Sequence, residues 1–433
     1  MHTWPGPYAI CAYIYGAKLI IHFKMLLLYN IGIRLYFFMV WMVSFFNKKA
    51  RLWIDGRKNQ KFVSCIDSIW FHFASLGEFE QGRPVLEQMQ LLQPGNKIVI
   101  TFFSPSGYEV RKNTPLADAV YYLPLDTAKN AREFMDAINP KLAIFTKYEY
   151  WYHFFNEAHE RDIPLYVISG IFRPDQVFFK WYGGLSRKIL SFVRYFFVQD
   201  EQSRQLLSGI GINNAAISGD TRFDRVWANA QQPKSLPVIR EFKNGGRLFI
   251  AGSTWPDDEK LVATLVSKYP GWKFIFAPHE IVEEKIEKLI ALLPGETIAR
   301  YSHISHLTSH ISHLNILIID NIGMLSSLYQ YADIAYIGGG FGAGIHNTLE
   351  AAAFGLPVIF GPNYSKFKEA HDLIALRAGF SISNESQLKG MTETLIEDPA
   401  FYNAAVKKAR DYVSRHTGAT ETIIEIIKAE ISK

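Results

Sequence analysis

AYIGGGFGAGIHNTLEAAAFGLPVIFGP, running from Ala335 to Pro362, is the stretch that decides the fold. It reads as an apolar strand, a glycine loop, a short helix and a second apolar strand. Gly338, Gly339, Gly340, Gly342 and Gly344 leave the backbone uncovered where the helix begins. Amides exposed at a helix start bind anions, above all phosphate. Glu350 lies one helical turn past His346 and Asn347 and can face the same crevice, where a carboxylate suits a ribose hydroxyl. A tight strand–helix turn with no ligand needs fewer glycines than this loop carries.

Working outward, the same alternation fills the chain. Ser68–Phe73, Lys97–Phe103, Ala119–Leu123, Leu142–Phe145, Leu165–Ile168 and Tyr195–Val198 read as the strands of a first parallel sheet. Arg247–Ala251, Trp272–Phe276, Ile316–Ile319, Ile334–Ile337 and Pro357–Phe360 repeat the plan. Strands this apolar belong between helix layers. Gln231-Gln-Pro-Lys-Ser-Leu-Pro237 breaks regular structure and marks a hinge between Arg225 and Gly246. The expected architecture is α/β, with two doubly wound, Rossmann-like domains facing a cleft, at 51–230 and 240–405. Residues 1–50 form an amino-terminal extension and anchor, and helices at 406–433 pack near the hinge. Ligands should sit at the carboxyl ends of the strands.

The 433 residues suit two or three domains, and 48% hydrophobic with 20% charged is a globular balance. A net charge of +5 points to an anionic partner without identifying nucleic acid. Cys11 and Cys65 are the only cysteines, which argues against a disulfide framework or thiolate metal site. Leu19 to Phe46 is apolar and aromatic, interrupted by Lys24 and Arg34, and is followed by Lys48, Lys49, Arg51, Arg57, Lys58 and Lys61. That pattern reads as a membrane-surface anchor, with a shallow or single crossing and a helix packed on the protein body as competitors. Met25 starts the cleanest part, so Met1–Lys24 reads as an upstream extension. Ser302–Thr308 is repeated as Ser309–Asn315. The repeat aligns His303, His306, His310 and His313, but a duplicated surface loop explains the spacing better than zinc does.

Glu78 follows Gly77 in a strand–loop–helix joint and is the first candidate for a general base. The plain reading is a first-turn carboxylate on the helix dipole. Glu80 is the nearest alternative base. Glu149, in Lys147-Tyr-Glu-Tyr-Trp151, also ends a strand and reads as a contact to an acceptor hydroxyl, as a residue orienting the base, or as a surface helix carboxylate. Ser104 and Ser106 either bind a polar ligand or shape their turn. Ser253 and Thr254 suit a phosphate or a helix cap. His279 suits a base or phosphate contact, and equally a structural role. Arg222 suits an anionic substrate or a salt link between domains.

Together these segments resemble the Kdo (3-deoxy-D-manno-octulosonate) transferases of lipopolysaccharide synthesis, from about Met25 to the end. Ser75-Leu-Gly-Glu78 stands for the family's Ser-x-Gly-Glu, placing its catalytic base on Glu78. Pro124-Leu-Asp126, Glu149-Tyr-Trp151, Gly219-Asp-Thr-Arg-Phe-Asp224 and His346-Asn-Thr-Leu-Glu350 match further motifs in order. Asp220 and Arg222 replace the usual Asn and Lys, Ser169-Gly-Ile-Phe-Arg173 replaces Asn-Ala-Arg-Leu-Ser, and Pro278-His279 lacks the family's arginine.

The resemblance implies a GT-B, inverting glycosyltransferase moving Kdo from CMP-Kdo to a lipid A precursor at the cytoplasmic side of a bacterial inner membrane. Glu149, Ser104 and Ser106 would serve the acceptor. Arg222, Ser253, Thr254, His279, Gly339, Gly340, Gly342, Gly344, His346, Asn347 and Glu350 would serve the donor. Phosphate departure on helix-start amides implies no metal and no other cofactor. A GT-B enzyme for another nucleotide sugar, or an inactive membrane-bound relative, would share the fold.

Overall fold

The computed structural model describes residues 7–431 except 59, 294–296 and 305–310, with side chains from Lys24 onward. The chain divides into two units, Met1–Thr221 with Gly418–Lys433, and Arg222–Thr417.

The first unit is built on strands β1 (Ser68–Phe73), β2 (Ile98–Phe102), β3 (Ala119–Tyr122), β4 (Pro140–Thr146), β5 (Leu165–Gly170), β6 (Tyr195–Val198) and β7 (Ala215–Ile217). All pair in parallel, in the order β3-β2-β1-β4-β5-β6-β7. Every residue of β1 is buried, because apolar clusters cover both faces of the sheet. Trp70 and Phe145 pack on one face, and Phe71 and Phe73 on the other. A polar network stitches the unit together: Gln81 donates to Asp220 at 2.6 Å, and Ser169 and Thr221 share a hydroxyl contact of 2.9 Å.

The second unit carries β8 (Leu248–Thr254), β9 (Lys273–Pro278), β10 (Ile298–Arg300), β11 (Ile316–Ile318), β12 (Ile334–Ile337), β13 (Val358–Phe360) and β14 (Gly379–Ser381). They too are parallel, in the order β10-β11-β9-β8-β12-β13-β14. Two apolar clusters again sandwich the sheet.

The division falls at Thr221, upstream of the Gln231–Pro237 break. Phe223 and Val226, on the helix Thr221–Gln231, are buried in the second unit's core, so apolar burial carries that helix with it. The last two helices part company. Pro399–Arg415 buries Ala409, Tyr412 and Val413 in the second unit, whereas Ala419–Ile431 buries Ile423 and Ile427 in the first.

Among the described residues, one stretch of the helix Pro7–Ser44, Lys24–Ser44, is long and apolar enough to cross a membrane. His306 and His310 of the duplicated repeat lie outside the described residues. Among the described residues no cluster of three or more His, Cys, Asp or Glu side chains is arranged to hold a metal ion.

Candidate active site

Doubly wound sheets bind ligands where the strand order reverses, because the connections there splay apart and leave a crevice at the carboxyl ends. In the first sheet the reversal lies between β1 and β4. Glu78 stands in the turn after β1, and Glu149 in the turn after β4. In the second sheet it lies between β8 and β12. Ser253, Thr254 and Trp255 close β8, and the glycine loop follows β12.

Glu78 sits in the first turn of the helix Leu76–Leu92 and accepts a 3.1 Å hydrogen bond from the Ser75 hydroxyl. Burial pushes its carboxyl up to about 7, and the negative charge of Glu149 adds to this, while Lys147 and Ser75 oppose it. A carboxylate with its pKa near neutrality is matched to general base work. Glu80 is engaged elsewhere: Arg111 binds it in an ion pair and Arg83 stands 3.8 Å away.

Glu149 is held from two sides. Trp151 Nε1 donates to its Oε2 at 2.9 Å, and His72 Nε2 lies 3.3 Å from the same oxygen. His72 is completely buried in β1, and desolvation lowers its pKa, so the ring is neutral. A carboxylate only accepts, so the ring proton belongs on Nε2. The Nδ1 lone pair then takes the hydroxyl proton of Thr101, 2.8 Å away, whose oxygen accepts from Trp70 Nε1 at 2.8 Å. The chain Trp70–Thr101–His72–Glu149 thus sets one tautomer and one carboxylate orientation. Sequence reasoning missed His72 and Thr101, although a histidine and a threonine on otherwise apolar strands were the visible signal.

Ser104 precedes and Ser106 opens the helix Pro105–Arg111 that follows β2, and their hydroxyls bond each other at 2.8 Å. Lys147 and Ser169, at the ends of β4 and β5, have φ of 59° and 51°, a left-handed conformation that side chains resist.

In the second unit, Ser253 is also left-handed, at φ 53°. A Cβ on Gly338 would stand 2.3 Å from Ser253 O, and one on Gly340 would stand 2.6 Å from Gly361 Cα. These two glycines therefore let backbones touch. The amides expected to lie uncovered are largely occupied. Gly338, Gly339, Gly342, Gly344 and His346 all donate within the unit, because the loop folds back on itself and on Asp258. The helix that follows is short, Leu349–Ala353.

Asp258 is the clasp of this site: its Oδ2 accepts from Gly339 N at 2.8 Å and Trp255 N at 2.9 Å, and its Oδ1 from Tyr336 OH at 2.7 Å. Thr254 is buried and its hydroxyl donates to Glu259 at 3.0 Å, so the phosphate role expected of that hydroxyl is replaced by an internal bond. Trp255, His279 and His346 stack in a column, with ring centroids 4.9 Å and 4.3 Å apart. Trp255 Nε1 donates to His346 Nε2 at 3.1 Å. Burial, with help from His279, holds His346 down at about 4, so it is neutral with its proton on Nδ1. The column offers an edge of aromatic surface beside the loop, and Trp255 is its unforeseen member. Asn347 Nδ2 donates to Glu350 Oε1 at 3.1 Å, bringing those two expected residues together. Arg222 pairs with buried Glu369 at 2.8 Å inside the second unit, not across a domain boundary.

Residues 46–225 match the family described as 3-deoxy-D-manno-octulosonic-acid transferase (kdotransferase). Over those residues the chain is similar to the Kdo transferase family. It is 26% identical over 377 residues to the 3-deoxy-D-manno-octulosonic acid transferase of Chlamydia trachomatis serovar A, covering 84% of this chain and 86% of that one. The Haemophilus influenzae transferase is 25% identical, with 84% and 87% covered. A bifunctional glycosyltransferase/methyltransferase of Fusobacterium nucleatum is 26% identical over 81% of this chain, which spans only 56% of that longer relative. Among solved structures, UDP-GlcNAc 2-epimerase from Neisseria meningitidis superposes with a TM-score of 0.60 at 16% identity, over 84% of this chain and all of that one. The Methanocaldococcus jannaschii epimerase gives 0.54 at 15% identity, covering 84% and 99%. The solved structures show the GT-B-like fold of this chain.

Proposed function

We propose that this chain is an inverting glycosyltransferase that moves Kdo from CMP-Kdo to a lipid A precursor. The observation that carries the reading is Glu78: a carboxyl raised to about 7, at the switch point of the first sheet, on the position where the family motif puts its base. In this reading Glu78 accepts the proton of an acceptor hydroxyl, whose oxygen forms a bond to the anomeric carbon as the bond to the CMP phosphate breaks. Inversion follows from a single displacement. Glu149 orients the acceptor and holds the Glu78 pKa up. Ser104 and Ser106 offer hydroxyls to the acceptor sugar.

The second unit binds the donor. The Gly340 amide and the side chains of Ser253, His279 and His346 receive the CMP phosphate, and Glu350 takes a ribose hydroxyl. Arg222 supports this site through Glu369 rather than touching the donor directly. In this reading the departing CMP takes the electron pair of the broken bond, its phosphate leaves as a dianion, and these donors stabilise it without a metal step. The apolar helix and the basic residues after it keep the enzyme at the cytoplasmic face of the inner membrane, where an anionic lipid acceptor is reached.

The test is product mass spectrometry with purified full-length protein, CMP-Kdo and a lipid A precursor. The expected result is a mass gain of one or more Kdo units, CMP release, and loss of both with Glu78→Gln. Turnover only with a UDP- or GDP-sugar would overturn the donor assignment. CMP-Kdo binding with no product from the unaltered chain would overturn the enzyme assignment.

A further inference from the structure

We infer that Lys24–Ser44 lies along the plane of one lipid leaflet rather than crossing the bilayer, and that the loop carrying Trp181 and Tyr182 is a second membrane contact. The inference rests on the helix and its packing, not on the transfer reaction.

One side of the helix is docked on the first unit from Met25 to Phe37 and again at Ser44. Met25, Leu26 and Tyr29 pack against the apolar core. Tyr29 OH donates to Asp126, and Asn30 Oδ1 meets His153 Nε2 at 2.6 Å. Further on, Ile33 and Tyr36 close a small cavity with Phe103 and Trp151, the Phe37 ring stands 6.2 Å from Trp53, and Ser44 is buried. These positions recur with the helical period, so they form one continuous face. A helix fixed sideways to a globular unit over ~30 Å cannot pass through a hydrocarbon core of about that thickness while its partner stays in water.

The opposite side is apolar and bare. Leu28, Leu35 and Met42, at heptad spacing, are 67%, 54% and 51% exposed. Arg34 sits midway along Lys24–Ser44, exposed and with no hydrogen bond or ion pair among the described residues. In a crossing helix its charge would lie at the bilayer centre, at a cost of about 2.5–3.5 kcal/mol or more. In a helix lying flat it is at the flank of the exposed face and reaches headgroups.

Both ends carry interfacial chemistry. Past Ser44 come Phe46, 93% exposed, and the helix Lys48–Lys58. Arg57 anchors that helix by donating to Leu123 O and Phe103 O, while Lys48, Lys49 and Lys58 face solvent without ion-pair partners among the described residues. Asp55 is its one acid. At the other end, the position of a Gly184 Cβ lies 3.8 Å from Met25 Sδ, which puts Val177–Gly184 beside the start of the described side chains. There Trp181 is 91% exposed and Tyr182 54%, next to Lys180. Trp, Tyr and Lys are the residues of the headgroup layer. Such chemistry at both ends of one docked helix fits a single leaflet, and the unpaired lysines select an anionic one.

The experiment uses the full chain with Cys11 and Cys65 replaced by Ser, spin-labelled singly at Leu28→Cys, Leu35→Cys or Met42→Cys, in phosphatidylcholine vesicles containing phosphatidylglycerol. Power saturation reads label depth. The expected result is three labels at one shallow depth, within a few Å of each other. A spread approaching ~21 Å, the helical rise over fourteen residues, overturns the in-plane reading, as do labels that stay in water. Trp181→Ala is expected to lower vesicle binding roughly fivefold, with enzyme fold unchanged by circular dichroism. Unchanged binding overturns the second contact. Equal binding to pure phosphatidylcholine overturns the preference for an anionic leaflet.

Discussion

The Nε2 of His72 faces the Oε2 of Glu149 at 3.3 Å, from a strand in which every residue is buried. A histidine in that position is not a surface acid or base. It is a neutral donor whose tautomer is set from behind by Thr101, and it fixes the carboxylate that in turn raises Glu78. Thr101→Val removes the hydroxyl proton that holds His72 Nδ1. Glu149 should lose its fixed orientation. The expected outcome is a kcat reduced about tenfold with the circular dichroism spectrum unchanged, and recovery in Thr101→Ser. Equal loss in both variants would show that packing, not the hydroxyl, is what matters.

Glu149 also acts through its charge. Its anion is the second cause of the raised Glu78 pKa, after burial. Glu149→Gln removes that repulsion while keeping a side chain that His72 and Trp151 can contact. The acidic limb of kcat/KM against pH should move to lower pH by roughly one unit, because Glu78 then loses its proton more easily. A limb that stays put, or moves up, would dismiss the coupling.

Glu78 itself has two signatures. As the base, it must be ionised, so activity should rise as pH passes through about 7. Glu78→Gln should lower kcat by ~10²–10⁴ and leave CMP binding intact. The stability effect runs opposite to that of an ordinary paired carboxylate. A carboxyl whose pKa rises on folding, here from 4.5 to about 7, holds its proton more tightly when folded. The fold therefore loses stability as pH climbs between those values, by something on the order of 2–3 kcal/mol once both states are ionised. Urea melts should show Glu78→Gln more stable than the parent at pH 8, and not at pH 4. Equal curves at pH 8 would mean the carboxyl is not desolvated.

In the second unit, Trp255→Phe keeps the aromatic column but deletes the proton given to His346 Nε2. His346 should then titrate closer to its ordinary value than the parent's value of about 4, which ¹⁵N-edited NMR of the imidazole can follow. The indole bond favours the neutral ring, so its loss can only raise the pKa. A titration unchanged by the substitution would show that burial and His279 suppress it without the indole bond.

Asp258 binds two backbone amides and the Tyr336 hydroxyl from a nearly inaccessible position. Asp258→Ala leaves those donors unsatisfied and should cost ~3–5 kcal/mol, read as a lower denaturation midpoint with an unchanged m value. A loss under ~1 kcal/mol would mean that water replaces the carboxylate and the clasp is dispensable.

Most of the architecture was readable because its strands are buried on both faces and so appear as short uniform apolar runs. The strands that escaped notice were Ala215–Ile217, Ile298–Arg300 and Gly379–Ser381. Each has three residues and lies at a sheet edge, where one neighbour suffices and no long apolar run is required. The hinge was sought at the Pro-rich break, yet Phe223 and Val226 bury themselves beforehand in the second unit. Glu78, Glu149, His346 and Glu350 stood out by position after strands. Trp255, Asp258, His72 and Thr101 did not, because what they do depends on partners distant in the chain.

Periodicity and punctuation alone determined two parallel α/β units, an apolar helix with basic residues behind it, and the turns in which the candidate residues stand. Those are local properties, written in hydrophobic runs and glycines. The tertiary structure decided which strands neighbour each other at the reversal points, and therefore which carboxylates share a crevice and a field. It also decided which of the glycine amides are already occupied, and which side of the apolar helix is covered. Each of these is a matter of what lies within a few ångströms, and burial and Coulombic coupling fall off over that distance whatever the separation along the chain.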